Sequence, residues 1–147
     1  MLFRSMLTLT ELGWGKDNPA FRQLFTSFYV PGANAEQMSW FNELQRRSAS
    51  PENAVKLMRV LSNIDVRPML SRVRHPVLVL HARGDQAIPF AEGEALAREI
   101  EGARFVPLES DNHILLEKEP AFRTFVGELK DFLNYERAFQ PATPVSA

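Results

Sequence analysis

A chain of 147 residues that is 45% apolar suits one globular domain, large enough to bury about 68–70% of the surface its unfolded form exposes. A net charge of −1, with both signs interspersed, leaves no electrostatic footprint for nucleic acid or an anionic membrane surface. The absence of cysteine excludes a disulfide framework and a thiolate metal site, and it fits a reducing cytoplasm, which is the expected location.

The first residues, Met1 to Leu12, carry Arg4 and are interrupted by Thr8, Thr10 and Glu11, so they do not read as a signal peptide. No apolar run reaches the roughly 18 residues of a membrane span. Leu2, Phe3, Met6, Leu7, Leu9 and Leu12 suit a first helix stopped by Gly13-Trp14-Gly15. Asp17-Asn18-Pro19 is a helix-start signal, a cap residue before a proline in the first turn. Phe21, Leu24, Phe25 and Phe28 follow at helical spacing, and Pro31-Gly32 closes that second helix. Ala35 to Arg47 is a third, with Met38, Phe41 and Leu44 on one side. Ser50-Pro51 opens a fourth, Ser50 as N-cap and Pro51 at N1, with Ala54, Leu57, Met58 and Leu61 on one face. Asp65 to Val73 gives a short helical turn.

The chemistry-bearing stretch comes next. Val77 to Leu80 and Arg104 to Leu108 are apolar runs too short for helices and bounded by turn residues, so each reads as a buried strand. Between them Phe90 to Glu101 forms a short amphipathic helix, with Gly102 as its C-cap. Strand, helix, strand is a βαβ unit, which makes the strands parallel and the crossover right-handed. Asp85 and His113 then follow the two strands at the same carboxyl edge, where open α/β sheets place their chemistry. Pro120 to about Glu136 is the last helix, with Phe122, Phe125, Val126, Leu129, Phe132 and Leu133 as its stripe. The expected organisation is a helical lid over 1–63, a βαβα unit over 64–136 and a disordered tail over 137–147.

Two turns resemble those of the α/β-hydrolase superfamily. Gly84-Asp85-Gln86-Ala87-Ile88-Pro89 is similar to that family's acid-bearing turn. Asn112-His113-Ile114-Leu115-Leu116-Glu117-Lys118-Glu119-Pro120 is similar to its histidine turn, with one extra residue before the proline. The resemblance implies an α/β fold equivalent to the C-terminal portion of an α/β-hydrolase. It also implies Asp85 and His113 as acid and histidine of a catalytic triad, with hydrolysis of an ester, amide or related bond through an acyl-enzyme. It implies no metal and no cofactor, and a small-molecule substrate rather than nucleic acid or membrane. No Gly-x-Ser-x-Gly nucleophile elbow occurs in the 147 residues. The chain therefore reads as part of a larger product, inactive alone. The competing class is a non-enzymatic ligand-sensing or interaction module of a signalling protein.

Simpler roles stand beside each assignment. Asp85 could be a turn residue or helix cap, and His113 a loop histidine. Asp111, two residues before His113, is an alternative orienter but reads better as a turn residue. His75 and His81 read as structural, and three scattered histidines make a weak metal site. Ser50 has a better role as a cap than as a nucleophile. Trp14, Phe25, Phe28, Tyr29, Trp40 and Phe41 suit helix packing, and secondarily an apolar lid over an acyl pocket. Val77 to Leu80 has no lysine and no internal proline, so its second edge is unprotected and self-association through it is expected.

Overall fold

The computed structural model describes residues 2–14, 16 and 20–139, with side chains over 7–14, 16 and 20–134. The Asp17-Asn18-Pro19 signal lies outside the described residues, as does most of the expected tail. In chain order the elements are α1 (Leu2–Gly13), α2 (Ala20–Tyr29), α3 (Ala35–Ser48), α4 (Pro51–Leu61), α5 (Arg67–Leu70), β1 (Leu78–Ala82), α6 (Phe90–Glu99), β2 (Arg104–Leu108) and α7 (Pro120–Phe139). This is an α/β arrangement, a helical layer leading into a two-stranded parallel sheet with helices against it.

Local chemistry explains the starts of two of the helices, α3 and α4. Ser50 Oγ accepts the Asn53 N–H at 3.3 Å and Pro51 sits at the first turn of α4, as the sequence predicts. Asn34 closes a capping box that the sequence reading missed. Its Oδ1 accepts the Gln37 N–H, and Gln37 Oε1 accepts the Asn34 N–H, both at 2.9 Å. A side-chain cap of this kind contributes about 1 kcal/mol. Helix α6 stops at Glu99, two residues short of expectation, because Ile100 is already extended. Gly102 therefore is not the cap itself. It takes φ +74° in the turn into β2, a conformation open to glycine without strain.

The buried faces of the helical layer differ from the periodicity reading. Helix α2 buries Arg22, Phe25 and Thr26, while Leu24 is exposed. Helix α3 buries Asn42 and Gln45 and exposes Leu44. The reason is a polar knot between the two helices. Thr26 Oγ1 donates to Asn42 Oδ1 at 2.5 Å and accepts from Gln45 Nε2 at 2.9 Å. Buried polar groups are tolerated when so paired, and this set fixes which helix faces meet. In α4 only Ala54 is buried, and Leu57 and Leu61 of the expected stripe remain exposed.

Strands β1 and β2 pair in parallel with Leu78 opposite Arg104 and Ala82 opposite Leu108. Side chains alternate between faces. On one face His81 meets α6, where a Cβ added at Gly93 would stand 2.3 Å from His81 Nδ1, so only glycine permits that approach. Phe90 of α6 packs on both His81 and Phe105 of the same face. On the other face Leu80, Ala82 and Leu108 share a cavity wall with Phe122 and Phe125 of α7. Apolar cover on both sides accounts for the unbroken apolar run in β1. Among the described residues β2 is the only strand beside β1. The 147-residue chain is accordingly expected to sediment as a dimer or larger species at micromolar concentration, since an unpaired strand edge templates pairing with another chain. A monodisperse monomer with a sharp two-state melt would contradict this.

Candidate active site

The two strand ends are joined beyond the sheet. Arg83 N–H donates to Leu108 O at 2.9 Å and Gly84 N–H to Ser110 O at 3.0 Å. These bonds extend the ladder into the loops that carry Asp85 and His113. Gly84 is required by the closeness of the second loop. A Cβ there would stand 1.8 Å from Asp111 Oδ1 and 3.0 Å from Asp111 Cα. Asp111 thus packs against Gly84, while the contact to His113 Nδ1 is made by Asp85.

The Asp85 side chain is 4% exposed, and a carboxylate so buried needs partners. Its Oδ1 accepts the N–H groups of Ala87 and Ile88 at 2.8 and 2.9 Å. Its Oδ2 faces His113 Nδ1 at 2.7 Å. A carboxylate only accepts, so Nδ1 carries the shared proton and Nε2 of the neutral ring keeps its lone pair. Charge-assisted bonds of this type contribute about 1.5–3 kcal/mol each. His81 is the second imidazole at the same oxygen. Its Nε2 lies 3.0 Å from Ile88 O and 3.4 Å from Asp85 Oδ2. Because a carbonyl only accepts, His81 Nε2 is the donor, and the ring braces the far end of the Asp85 turn.

The His113 loop is anchored by Glu119, a residue the sequence offered only as part of a turn pattern. Its carboxylate accepts from Ser110 Oγ at 2.6 Å, from Asn112 Nδ2 at 3.2 Å and from the Leu116 N–H. The recognisable signal is an acid immediately before the proline that opens α7. On either side of His113 the loop is also tied to the helical layer. Gly32 N–H donates to Asn112 Oδ1 at 2.9 Å and Ile114 N–H to Tyr29 O at 3.0 Å. The Tyr29 ring meets the His113 ring edge to face, with centroids 5.2 Å apart and an interplanar angle of 85°.

Asp85 and His113 line a cavity of about 430 Å³ whose walls include Leu80, Ile88, Leu115 and Phe122. No serine or threonine contributes to that wall among the described residues. The arrangement is a histidine with its orienting carboxylate, able to take a proton at Nε2 and to stabilise the resulting cation. Among the described residues no helix is long and apolar enough to cross a membrane.

Burial first, and the Asp85 charge second, hold the Tyr29 phenol above its ordinary value of about 10. A raised folded value means the folded state favours the neutral phenol. That contribution to stability is fully present below pH 10 and is lost as pH rises through the raised folded value. Thermal melts should therefore shift downwards above about pH 10, with a smaller shift in Tyr29→Phe. Superimposable pH profiles for the two proteins would contradict the assignment.

No family model matches the chain. Similarity to curated proteins is confined to part of each. A protein of Pseudomonas savastanoi pv. phaseolicola, provisionally named carbamate hydrolase RutD, is 31% identical over 83 residues, which is 56% of this chain and 31% of that protein. The AB hydrolase superfamily protein YisY of Bacillus subtilis is 29% identical over 86 residues, 58% of this chain and 32% of that protein. Among solved structures, the esterase EaEST of Exiguobacterium antarcticum superposes with a TM-score of 0.76 at 21% identity, covering 90% of this chain and 47% of that one. A hydrolase of Pseudomonas aeruginosa PA01 gives 0.72 at 18% identity, covering 90% and 49%. The chain thus spans about half the length of the solved hydrolases it resembles. By fold the chain corresponds to a portion of an α/β-hydrolase, and its likenesses in sequence are to proteins of that superfamily.

Proposed function

We propose that these residues supply the acid and the histidine of a serine-type hydrolase, acting on an ester, amide or related carbonyl bond through an acyl-enzyme. The observation that carries the reading is the 2.7 Å contact between Asp85 Oδ2 and His113 Nδ1 at the ends of adjacent parallel strands. In this mechanism His113 Nε2 takes the proton of a nucleophilic hydroxyl as the oxygen attacks the substrate carbonyl. The tetrahedral intermediate collapses, the carbon–heteroatom bond breaks, and the imidazolium returns that proton to the leaving group. Water then repeats the sequence on the acyl-enzyme. Asp85 stays ionised throughout, holding Nδ1–H and stabilising the imidazolium.

The relatives named for a carbamate and for an ester share a carbonyl joined to a heteroatom leaving group, which is the bond this chemistry cleaves. The nucleophile and the oxyanion donors belong, in this reading, to sequence beyond these 147 residues, and the mechanism needs neither metal nor cofactor. The chain alone should release no nitrophenol from p-nitrophenyl acetate above a His113→Ala control. Combined with a segment that supplies the elbow serine, it should turn the ester over, and Asp85→Asn should lower kcat by ~10⁴ through the wrong tautomer of the histidine. Turnover in the combined protein that survives both Asp85→Asn and His113→Ala would sink the proposal.

A further inference from the structure

The helical layer lines a second cavity, open on one side and separate from the one at His113. Its volume is about 230 Å³, and its wall is formed chiefly by Trp14, Phe25, Tyr29, Phe41, Leu57 and Met58. We infer that this cavity binds one uncharged, ring-sized apolar group, and that Tyr29 is the wall it shares with the Asp85–His113 pair. Three observations support the inference.

The first is charge. Among the described residues no Asp, Glu, Lys, Arg or His lines the cavity. Three of its polar lining side chains point a donor elsewhere, which leaves the Tyr29 hydroxyl as the one neutral polar group of the wall without such a bond among those described. Trp14 Nε1–H goes to Ala49 O at 3.0 Å, Ser48 Oγ–H to Gln45 O at 2.9 Å, and Gln45 Nε2–H to Thr26 Oγ1 at 2.9 Å. A charged guest would lose its hydration without a compensating partner.

The second is size and apolarity. An apolar cavity of about 150 Å³ stays dry and takes benzene. A space of about 230 Å³ admits a ring with a small substituent, or a short branched chain. It also explains the exposed stripe of α4. Leu57 and Leu61 are 57% and 51% exposed, yet both face this space, so their apolar surface has a guest rather than a neighbouring helix to meet.

The third is position. Tyr29 lines the cavity, and its ring touches His113 edge to face at 5.2 Å. A guest in the helical layer therefore lies one aromatic ring away from the proton-transfer pair. Identifying the guest as an apolar moiety of substrate rests on the hydrolase reading, whereas binding itself does not.

The protein has two tryptophans, and Trp40 is 64% exposed and outside the cavity. In a Trp40→Phe chain, Trp14 is the sole indole reporter. Toluene should change its emission saturably, and benzoate, of the same ring size but charged, should not. The His113 Hε1 resonance should move along the same toluene saturation curve. Ala54→Leu, which fills the cavity from a buried lining position, should weaken toluene binding at least ~10-fold while the melt stays cooperative. Leu57→Phe at the more exposed wall replaces it if Ala54→Leu fails to fold, and leaves Trp14 as the sole indole. A linear or absent toluene response overturns the binding cavity. Undiminished binding in a folded filling variant places the probe elsewhere and does the same. Saturable binding with a static His113 resonance overturns the shared wall. None of these readouts requires turnover, so their failure is distinct from a hydrolase reading lost through activity that survives Asp85→Asn.

Discussion

The buried carboxylate of Asp85 is the constraint around which the site is arranged. At 4% exposure it has left water and must be satisfied by protein groups. Its oxygens divide the work. Oδ1 holds the turn that leads to α6 through two backbone N–H groups, and Oδ2 holds His113 across the strand gap. A single side chain thereby fixes the geometry of its own loop and that of the next. His81 closes the arrangement from within the strand, since its ring spans from Asp85 Oδ2 to Ile88 O. The glycine at 93 lets α6 press directly on that ring. Packing of the helix and orientation of the acid are consequently one structural problem, solved by residues of β1, α6 and the turn between them.

The histidine loop is fixed from the opposite side. Glu119 gathers Ser110, Asn112 and the Leu116 amide, while Tyr29 and the turn at Gly32 tie the residues flanking His113 to the helical layer. The helical layer is therefore tied to the Asp85–His113 pair by backbone hydrogen bonds as well as by the ring of Tyr29. Within that layer the Thr26–Asn42–Gln45 knot joins α2 to α3 beside the buried apolar residues Phe25 and Ala54. Apolar surface on α4 faces an open cavity instead of a core.

The strand ends were legible in the sequence because their signals are local. Short apolar runs bounded by turn residues placed β1 and β2 within a residue or two, and a glycine before Asp85 and an asparagine before His113 marked the loops. Ser50-Pro51 likewise announced α4 on its own. What depends on a distant partner was not legible. Periodicity picked out Leu24, Leu44, Leu57 and Leu61 as core because it reports apolar residues and not what lies opposite them. Thr26, Asn42 and Gln45 are polar by type and buried only because they find one another. Glu119 and His81 look ordinary in sequence, and their roles appear only when the loops they brace are brought within hydrogen-bonding reach.

The account turns on the proton between Asp85 and His113, which long-range proton–nitrogen correlation of the His113 ring observes directly. The predicted result is a neutral imidazole protonated at Nδ1 with an unprotonated Nε2, converted to the other tautomer by Asp85→Asn. A wild-type His113 ring protonated at Nε2, and unchanged by that substitution, would contradict it.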